Sequence, residues 1–193
     1  MIVLRKRKNG KGASDMTKKI LILSGSPRKQ GISDLLCDEF MRGGLEAGHT
    51  VEEIRVQEKT VAYCTACYAC KKTGSCVIKD DMAEIMQKMI DCDVMVLASP
   101  VYFYSIDAQL KTVIDRSLCR WTEVKNKEMY YIMTAADGEK ESMDTTLACF
   151  RGYADCVKGA VEKGIIYATG VYRVGEIKDT KYMHEAYEMG KNV

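Results

Sequence analysis

The sequence lacks any continuous apolar segment long enough for a signal peptide or a membrane-spanning helix, so we expect no membrane partner. It also lacks the G-x-x-x-x-G-K-[ST] pattern of nucleoside triphosphatases and the G-x-G-x-x-G fingerprint of dinucleotide-binding folds. A phosphate bound by this chain would therefore need a different kind of loop.

Charge is distributed unevenly along the chain. Residues 1–16 contain five lysines and arginines against Asp15 alone, without interleaved aromatic residues, and so do not predict nucleic-acid binding. We predict that this segment is a disordered basic leader. Residues 17–193 are predicted to form a single domain with a cysteine-rich loop at 60–78, because 193 residues suffice for one buried core but not for two.

Nine cysteines are present, an odd number, in a chain with no export signal. This favours free thiols in a reducing, cytoplasmic compartment over a disulfide framework. Four cysteines are clustered within residues 64–76, whereas the other five are scattered through apolar patterns. We predict that the scattered five are small core residues; they are Cys37, Cys92, Cys119, Cys149 and Cys156.

Short, continuous apolar runs alternate with helical patterns along the chain. Such runs are typical of strands buried on both faces of a parallel sheet. The strands are predicted at residues 19–23, 50–56, 93–99, 129–134 and 164–173, and the last two helices at about 143–162 and 180–190. This alternation favours a doubly wound, flavodoxin-like α/β/α fold in which five parallel strands have the order 2-1-3-4-5.

Sheets of this kind bind ligands beyond the carboxyl ends of their strands, at the point where the strand order reverses. Here that point lies between the loops after strands one and three. The first loop, residues 24–33, offers hydroxyl groups, the Arg28 guanidinium and a new helix amino terminus, to which Ser33 is a candidate cap. These groups suit a phosphate, although an ordinary polar turn would have the same composition.

The loop after the third strand, residues 99–105, carries three adjacent aromatic residues in a chain that is only 8% aromatic. Such a loop is costly to expose unless it covers a flat ligand or a partner subunit. Packing in the core or at a dimer interface would also account for the aromatic residues.

Together, three segments resemble the NADPH-dependent FMN reductase group of flavodoxin-like proteins. They are Gly25-Ser26-Pro27-Arg28-Lys29, Ser99-Pro100-Val101-Tyr102 and Leu110-Lys111-Thr112-Val113-Ile114-Asp115-Arg116. The resemblance implies that the first loop holds the FMN phosphate and that the loop after strand three borders the flavin ring. The cofactor-binding residues it implies are Ser26, Pro27, Arg28, Ile32, Ser33, Pro100, Val101, Tyr102, Phe103 and Ser105.

Some positions call for a narrower interpretation. The family often has a small polar residue where this chain has Ile32, so we expect only the backbone N–H of Ile32 to contribute. Further backbone donors are expected around Thr134 and Ala135, after strand four. The charged residues at 111, 115 and 116 have helical spacing and are interpreted as a structural ion-pair set without a chemical role.

The most specific local pattern is Cys64-x2-Cys67-x2-Cys70-x5-Cys76. Three thiols at steps of three and a fourth beyond Gly74 can converge on a compact inorganic core. Zinc usually takes paired Cys-x2-Cys knuckles or histidine, and His49 and His184 are both remote in sequence. Free thiols remain an alternative, as does a redox disulfide whose thiol pKa is lowered by Lys71 and Lys72.

The cysteine pattern is similar to that of the iron–sulfur flavoproteins of anaerobes. This resemblance implies that all four cysteines are ligands of a 4Fe-4S cluster. We therefore expect an FMN-dependent oxidoreductase that uses NAD(P)H, or that passes electrons between a cluster and FMN. The alternative is a non-enzymatic electron carrier or redox sensor.

The expected partners are a small-molecule electron acceptor or a ferredoxin-like carrier. No side-chain acid, base or nucleophile is required by this chemistry, so no catalytic side chain is predicted. The apolar loop after strand three and the family resemblance favour a homodimer or homotetramer.

Overall fold

A computed structural model describes residues 17–193, and the predicted leader at 1–16 lies outside them. One parallel sheet of five strands has the order β2-β1-β3-β4-β5, which confirms the predicted fold. The strands are β1 (Lys19–Ser24), β2 (Thr50–Arg55), β3 (Val94–Pro100), β4 (Glu128–Thr134) and β5 (Val161–Ala168).

Helices cover both faces of this sheet. They are α1 (Ile32–Glu46), α2 (Cys70–Thr73), α3 (Met82–Asp91), α4 (Ala108–Arg116), α5 (Asp144–Cys156) and α6 (Lys181–Lys191). Buried side chains of α1 and α6 pack with one face of the sheet. Those of α3, α4 and α5 pack with the other. The result is the three-layer arrangement that the alternating pattern predicts.

The central strands are buried on both faces. Along β1, Leu21 and Leu23 enter one core, whereas Ile20 and Ile22 enter the other. Full burial of each such side chain stabilises the fold by about 1.5–3 kcal/mol. In the edge strand β2 only Ile54 is buried, in agreement with the more polar sequence of this strand.

The boundary between α5 and β5 differs from the prediction. The helix ends at Cys156 rather than near residue 162, and the chain turns through Gly159, whose φ is +76°. Pairing of β5 with β4 begins at Val161, opposite Glu128, and the register shifts between Met129 and Tyr130. The strand therefore occupies residues that the apolar pattern assigned to the helix.

A second difference concerns Leu118, since the helical spacing of Leu110, Val113, Ile114 and Leu118 predicts that Leu118 faces the core as part of α4. The helix ends at Arg116, and residues 117–119 form a 3₁₀ turn. Because this turn has a different angular step from an α-helix, the side chain leaves the apolar stripe, and Leu118 is 41% exposed.

Among residues 17–193, no helix combines the length and the apolar character required to cross a bilayer.

Candidate active site and cysteine loop

A cavity of about 170 Å³ lies at the carboxyl edge of the sheet, among the turns that follow β1, β3, β4 and β5. We call it the edge cavity. Its lining residues are Ser26, Arg28, Ile32, Ser33, Pro100, Val101, Tyr102, Thr134, Ala136, Val171 and Tyr172. Eight of the twelve predicted cofactor-binding residues are thus brought together.

The amino terminus of α1 opens into this cavity without a side-chain cap. Gly31 is the capping position and offers no side-chain acceptor to the helix. Ser33, a candidate cap in the sequence, instead places its Oγ 2.9 Å from Oγ1 of Thr134. The first N–H groups of a helix have no intrahelical acceptor, so those of Ile32 and Ser33 are free to bind an anion.

The turn before α1 is fixed by buried polar contacts. Asp34 accepts hydrogen bonds from the Gln30 backbone N–H (2.8 Å) and from Oγ of Ser24 (3.2 Å). It also forms a 2.7 Å ion pair with Arg55. Burial nevertheless raises the pKa of Asp34, against the opposing effect of Arg55. These contacts hold Gln30 in the left-handed region, at φ 55°.

The turn after β1 also packs closely against the start of α4. A Cβ atom on Gly25 would lie 2.1 Å from Oδ2 of Asp107, so only glycine fits this position. Asp107 caps α4 by accepting a 2.8 Å hydrogen bond from the Leu110 N–H, and it accepts another from Oγ of Ser99 (2.7 Å). The two turns that border the edge cavity are therefore locked together.

After β3 the chain forms a tight two-residue turn. Tyr102 and Ser105 exchange backbone hydrogen bonds of 3.0 and 3.1 Å. The intervening Phe103 and Tyr104 are both left-handed, with φ of 48° and 63°. Phe103 is 100% exposed and does not line the cavity. Pro100, Val101 and Tyr102 form the wall instead.

Four predicted cofactor-binding residues lie outside the cavity lining: Pro27, Phe103, Ser105 and Ala135. The backbone N–H of Ala135 donates to the carbonyl of Ala168 (2.9 Å), and its carbonyl accepts from Val171 (3.0 Å). Ala135 therefore has no free backbone N–H, contrary to the expectation of a donor there. The next residue, Ala136, lines the cavity in its place.

Sequence reasoning missed Val171 and Tyr172, because it extended the fifth strand to residue 173. The strand ends at Ala168, and Gly170 turns the chain toward the cavity with φ 67°. The Tyr172 carbonyl accepts a 3.3 Å hydrogen bond from Arg28, whose guanidinium lies 5.5 Å from the Tyr172 ring centroid. The glycine and the position after a parallel strand were the available signals.

The four clustered cysteines line a second, smaller cavity of about 20 Å³, which we call the cysteine cavity. The complete lining is Cys64, Thr65, Ala66, Cys67, Tyr68, Cys70, Cys76, Val77, Ile78, Arg116, Leu118 and Cys119. Within residues 17–193, no three cysteine, histidine or carboxylate side chains are close enough together to hold a metal ion. The thiols thus share a cavity without converging on one point.

The backbone of this loop turns sharply between the cysteines. Ala66 and Tyr68 are both left-handed, with φ of 53° and 56°, a conformation that costs free energy in residues with side chains. The pKa of the exposed Cys67 thiol is lowered by the Ala69 N–H and then by the Thr65 hydroxyl. The lysines proposed for this effect in the sequence are not among its causes.

The scattered cysteines differ in burial. Cys37 and Cys92 are buried, and Cys119 and Cys149 are half-buried against the core. The prediction was wrong for Cys156, which is exposed at the end of α5. All nine cysteines are free thiols, as expected for a chain without a disulfide framework.

Only part of the predicted ion-pair set on α4 forms within the helix. Lys111 and Asp115 form the expected pair at 2.5 Å. Arg116 instead forms a buried pair with Asp80, 36 residues away in sequence.

Sequence and structure comparisons identify relatives of the chain. An iron–sulfur flavoprotein of Methanocaldococcus jannaschii is 42% identical over 99 residues, or 51% of each chain. One from Archaeoglobus fulgidus is 40% identical over 94 residues, which is 49% of this chain and 43% of that one. The matched segments thus span about half the length of these curated relatives.

The fold is shared with solved oxidoreductases. An NAD(P)H:quinone oxidoreductase from Methanothermobacter marburgensis superposes with a TM-score of 0.73 over 92% of this chain and 96% of its own, at 16% identity. That likeness supports the fold. The model of one family, described as NADPH-dependent FMN reductase, matches residues 18–156, which include β1 to β4, the edge cavity's first three turns and the cysteine loop. This chain belongs to the NADPH-dependent FMN reductase family.

Proposed function

We propose that this chain is an FMN-dependent oxidoreductase that binds the flavin phosphate at the amino terminus of α1. The observation that carries the proposal is the edge cavity, where the uncapped helix terminus meets Ser26 and Arg28. Helix N–H groups, a hydroxyl and a guanidinium are the donors that a phosphate dianion requires.

The other side of the edge cavity suits a flat ring. Pro100, Val101 and Tyr102 offer an apolar surface, and Val171 and Tyr172 face it from the turn after β5. Bound FMN would supply hydride acceptance from NAD(P)H and electron transfer to a second acceptor. The role of these residues is to seat the ring and exclude water.

The cysteine loop supports a second centre. Four thiols lining one cavity provide the donor chemistry of a 4Fe-4S cluster, with Cys64, Cys67, Cys70 and Cys76 as ligands. The names of the relatives favour iron over zinc. Of the two histidines, His49 lies close to Val193 and Lys18 backbone atoms, and neither lines the cavity.

The phosphate site is tested by comparing FMN with riboflavin in fluorescence titrations of the purified protein. We expect FMN to bind at least 100-fold more tightly. Arg28→Ala should weaken FMN binding by about tenfold, the effect of about 1.4 kcal/mol, and leave riboflavin binding unchanged. Arg173→Ala, which removes an 84% exposed side chain from the turn after β5, is the matched control. Equal affinities for the two flavins would refute the site.

A non-enzymatic electron carrier or redox sensor is the second candidate, favoured by the accessibility of the cysteine loop, where Cys67 is exposed. Steady-state oxidation of NADH or NADPH by flavin-loaded protein with a quinone acceptor separates the two. Catalytic turnover supports the enzyme, whereas electron exchange restricted to a ferredoxin-like protein supports the carrier.

We further propose a homodimer or homotetramer. The support is the exposed aromatic turn at Phe103 and Tyr104 together with the accessible side chains of Leu118 and Trp121. Exposed apolar groups of this size favour burial by association. Light scattering of the flavin-loaded protein measures the oligomeric mass, and a monomer would refute this part of the proposal.

A further inference from the structure

The two ends of the cysteine loop are held side by side by hydrogen bonds. The Thr60 N–H donates to Oδ2 of Asp81 (2.7 Å), and the Asp81 N–H donates to the Thr60 carbonyl (3.1 Å). One step further in, the Ala62 N–H donates to Oδ2 of Asp80 (3.0 Å). We call these two paired segments, residues 60–62 and 80–81, the stems of the cysteine loop. All four clustered cysteines lie between them.

Arg116 closes this arrangement from α4. Its Nη1 donates to the Ala62 carbonyl (2.6 Å) and to Oδ2 of Asp80 (2.7 Å), while its Nη2 donates to Oδ1 of Asp80 (2.9 Å). The Arg116 side chain is 1% exposed and that of Asp80 is 6% exposed. A bidentate pair of this kind fixes the orientation of the guanidinium plane.

Three of the five N–H groups of Arg116 make these bonds, which leaves the Nε–H and the second N–H of Nη2. Its Nε is buried and makes no hydrogen bond, although an unsatisfied buried donor costs about 1–3 kcal/mol. Arg116 also lines the cysteine cavity. The pKa of Arg116 is raised chiefly by Asp80, and Cys76 adds to the effect. Arg116 and Cys76 thus lie on the same cavity, close enough to interact.

A neighbouring arginine shows that this arrangement is particular to Arg116. Arg120 binds Glu123 through Nε and Nη2, both at 2.7 Å, so its Nε is occupied. Arg116 instead binds the Asp80 carboxylate through its two terminal nitrogens, Nη1 and Nη2. The same two nitrogens bind the ends of the loop, and the Nε–H of Arg116 has no partner.

We propose that Arg116 is a positioning residue for the centre that the cysteine loop binds. Its Nε–H donates to a sulfur atom in the cysteine cavity, and the pair with Asp80 holds it there. The assignment rests on the iron–sulfur centre proposed above. Hydrogen bonds to cluster sulfurs raise the reduction potential, because they stabilise the more negative reduced state.

The test is to reconstitute the full chain anaerobically with iron and sulfide and to measure iron content and midpoint potential. Arg116→Lys keeps the charge but removes Nε and the planar fork. We expect the reduction potential of this variant to fall by about 59 mV, which corresponds to about a tenfold shift of the one-electron equilibrium toward the oxidised state. Asp80→Glu keeps the negative charge but moves the carboxylate that holds the guanidinium, and should lower the potential as well. Arg120→Lys is the matched control and should leave it unchanged.

A lower potential at full iron content in both variants separates positioning from a merely structural role, in which both variants would lose iron and the remaining cluster would keep its potential. Equal potentials for wild type, Arg116→Lys and Arg120→Lys would overturn the assignment. If Arg116→Lys fails to fold, the Asp80→Glu variant decides, since a rise or no change in potential overturns it. A wild type that binds flavin but no iron refutes the cluster itself, and the assignment with it.

Discussion

The turn after β1 and the cysteine loop after β2 differ in how they are held. The first is held at both ends by buried carboxylates, since Asp34 binds the Gln30 N–H and Gly25 packs on Asp107. The second is fixed at its stems by Arg116 and Asp80, and its short helix α2 buries no residue. The edge cavity is therefore fixed by contacts within the chain, whereas such contacts do not bring the four thiols to one point.

The substitution that we expect to destabilise the turn after β1 most strongly is Gly25→Ala. The added methyl group would lie 2.1 Å from the Asp107 carboxylate. Overpacking of this kind typically costs about 1–3 kcal/mol, and we expect the upper end, with loss of flavin binding. Urea unfolding measures the change. Gly152→Ala, where a methyl group meets nothing within 4 Å, should be neutral or slightly stabilising, and equal losses for both variants would contradict the packing argument.

The pH dependence of stability next to this turn is tested through Glu53 on β2. Glu53 pairs at 3.6 Å with Arg55, which also pairs with Asp34. Burial raises the pKa of Glu53 from 4.5 to about 7, and Arg55 only partly offsets this. The folded chain thus holds this proton more tightly than the unfolded chain does. The stability that it contributes is complete below pH 4.5 and is lost as the pH rises through about 7.

Glu53→Gln should remove this dependence. Relative to wild type, its free energy of unfolding should improve by about 2 kcal/mol between pH 4 and pH 8, somewhat less than the full shift implies. Denaturation series at several pH values measure the difference. Glu58→Gln, at a 56% exposed side chain, is the control. A constant difference across this range would show that Glu53 ionises normally.

A smaller effect is expected at the contact between α1 and β4. Ser33→Ala removes the 2.9 Å contact with the buried Thr134 hydroxyl and should cost about 1 kcal/mol. It should also weaken FMN binding severalfold. Ser117→Ala, which removes a buried 2.7 Å hydrogen bond to the Ile114 carbonyl, should cost similar stability without affecting flavin. Equal effects of both on flavin affinity would exclude a local role for Ser33.

The smallest effect on folding is expected in the cysteine loop. Cys67→Ala alters an exposed side chain and should change the stability of the metal-free protein by less than about 0.5 kcal/mol. It should nevertheless abolish full iron loading on reconstitution. A large loss of metal-free stability would show that the loop is as firmly built as the turn after β1.

Much of the fold could be predicted because its determinants are local. Apolar runs such as 19–23 and 93–99 identify strands buried on both faces, and their alternation with helices fixes the sheet type. The first strand-to-helix turn was identified from hydroxyl, guanidinium and helix-start signals within ten residues. Four of the proposed cofactor-binding residues lie in this turn and line the edge cavity, namely Ser26, Arg28, Ile32 and Ser33.

The remaining features depend on distant partners. Arg116 was assigned to its own helix because helical spacing suggested neighbours there, whereas its partner Asp80 arrives from a different loop. The start of β5 is set by pairing with β4 rather than by its own apolar pattern. Contacts of this kind are decided by tertiary packing, which the local sequence does not encode.

The helix α4 is capped by Asp107, which packs against the turn after β1, and it ends at Arg116, which lines the cysteine cavity. Nine residues at 1.5 Å each make it a rod of roughly 13 Å. The length of this helix therefore sets the distance between the two redox sites that we propose. Inserting one residue within α4 would rotate the part of the helix that follows it by about 100°. Arg116 would then point away from the cysteine loop, even if the other residues that line the edge cavity and the cysteine cavity were unchanged.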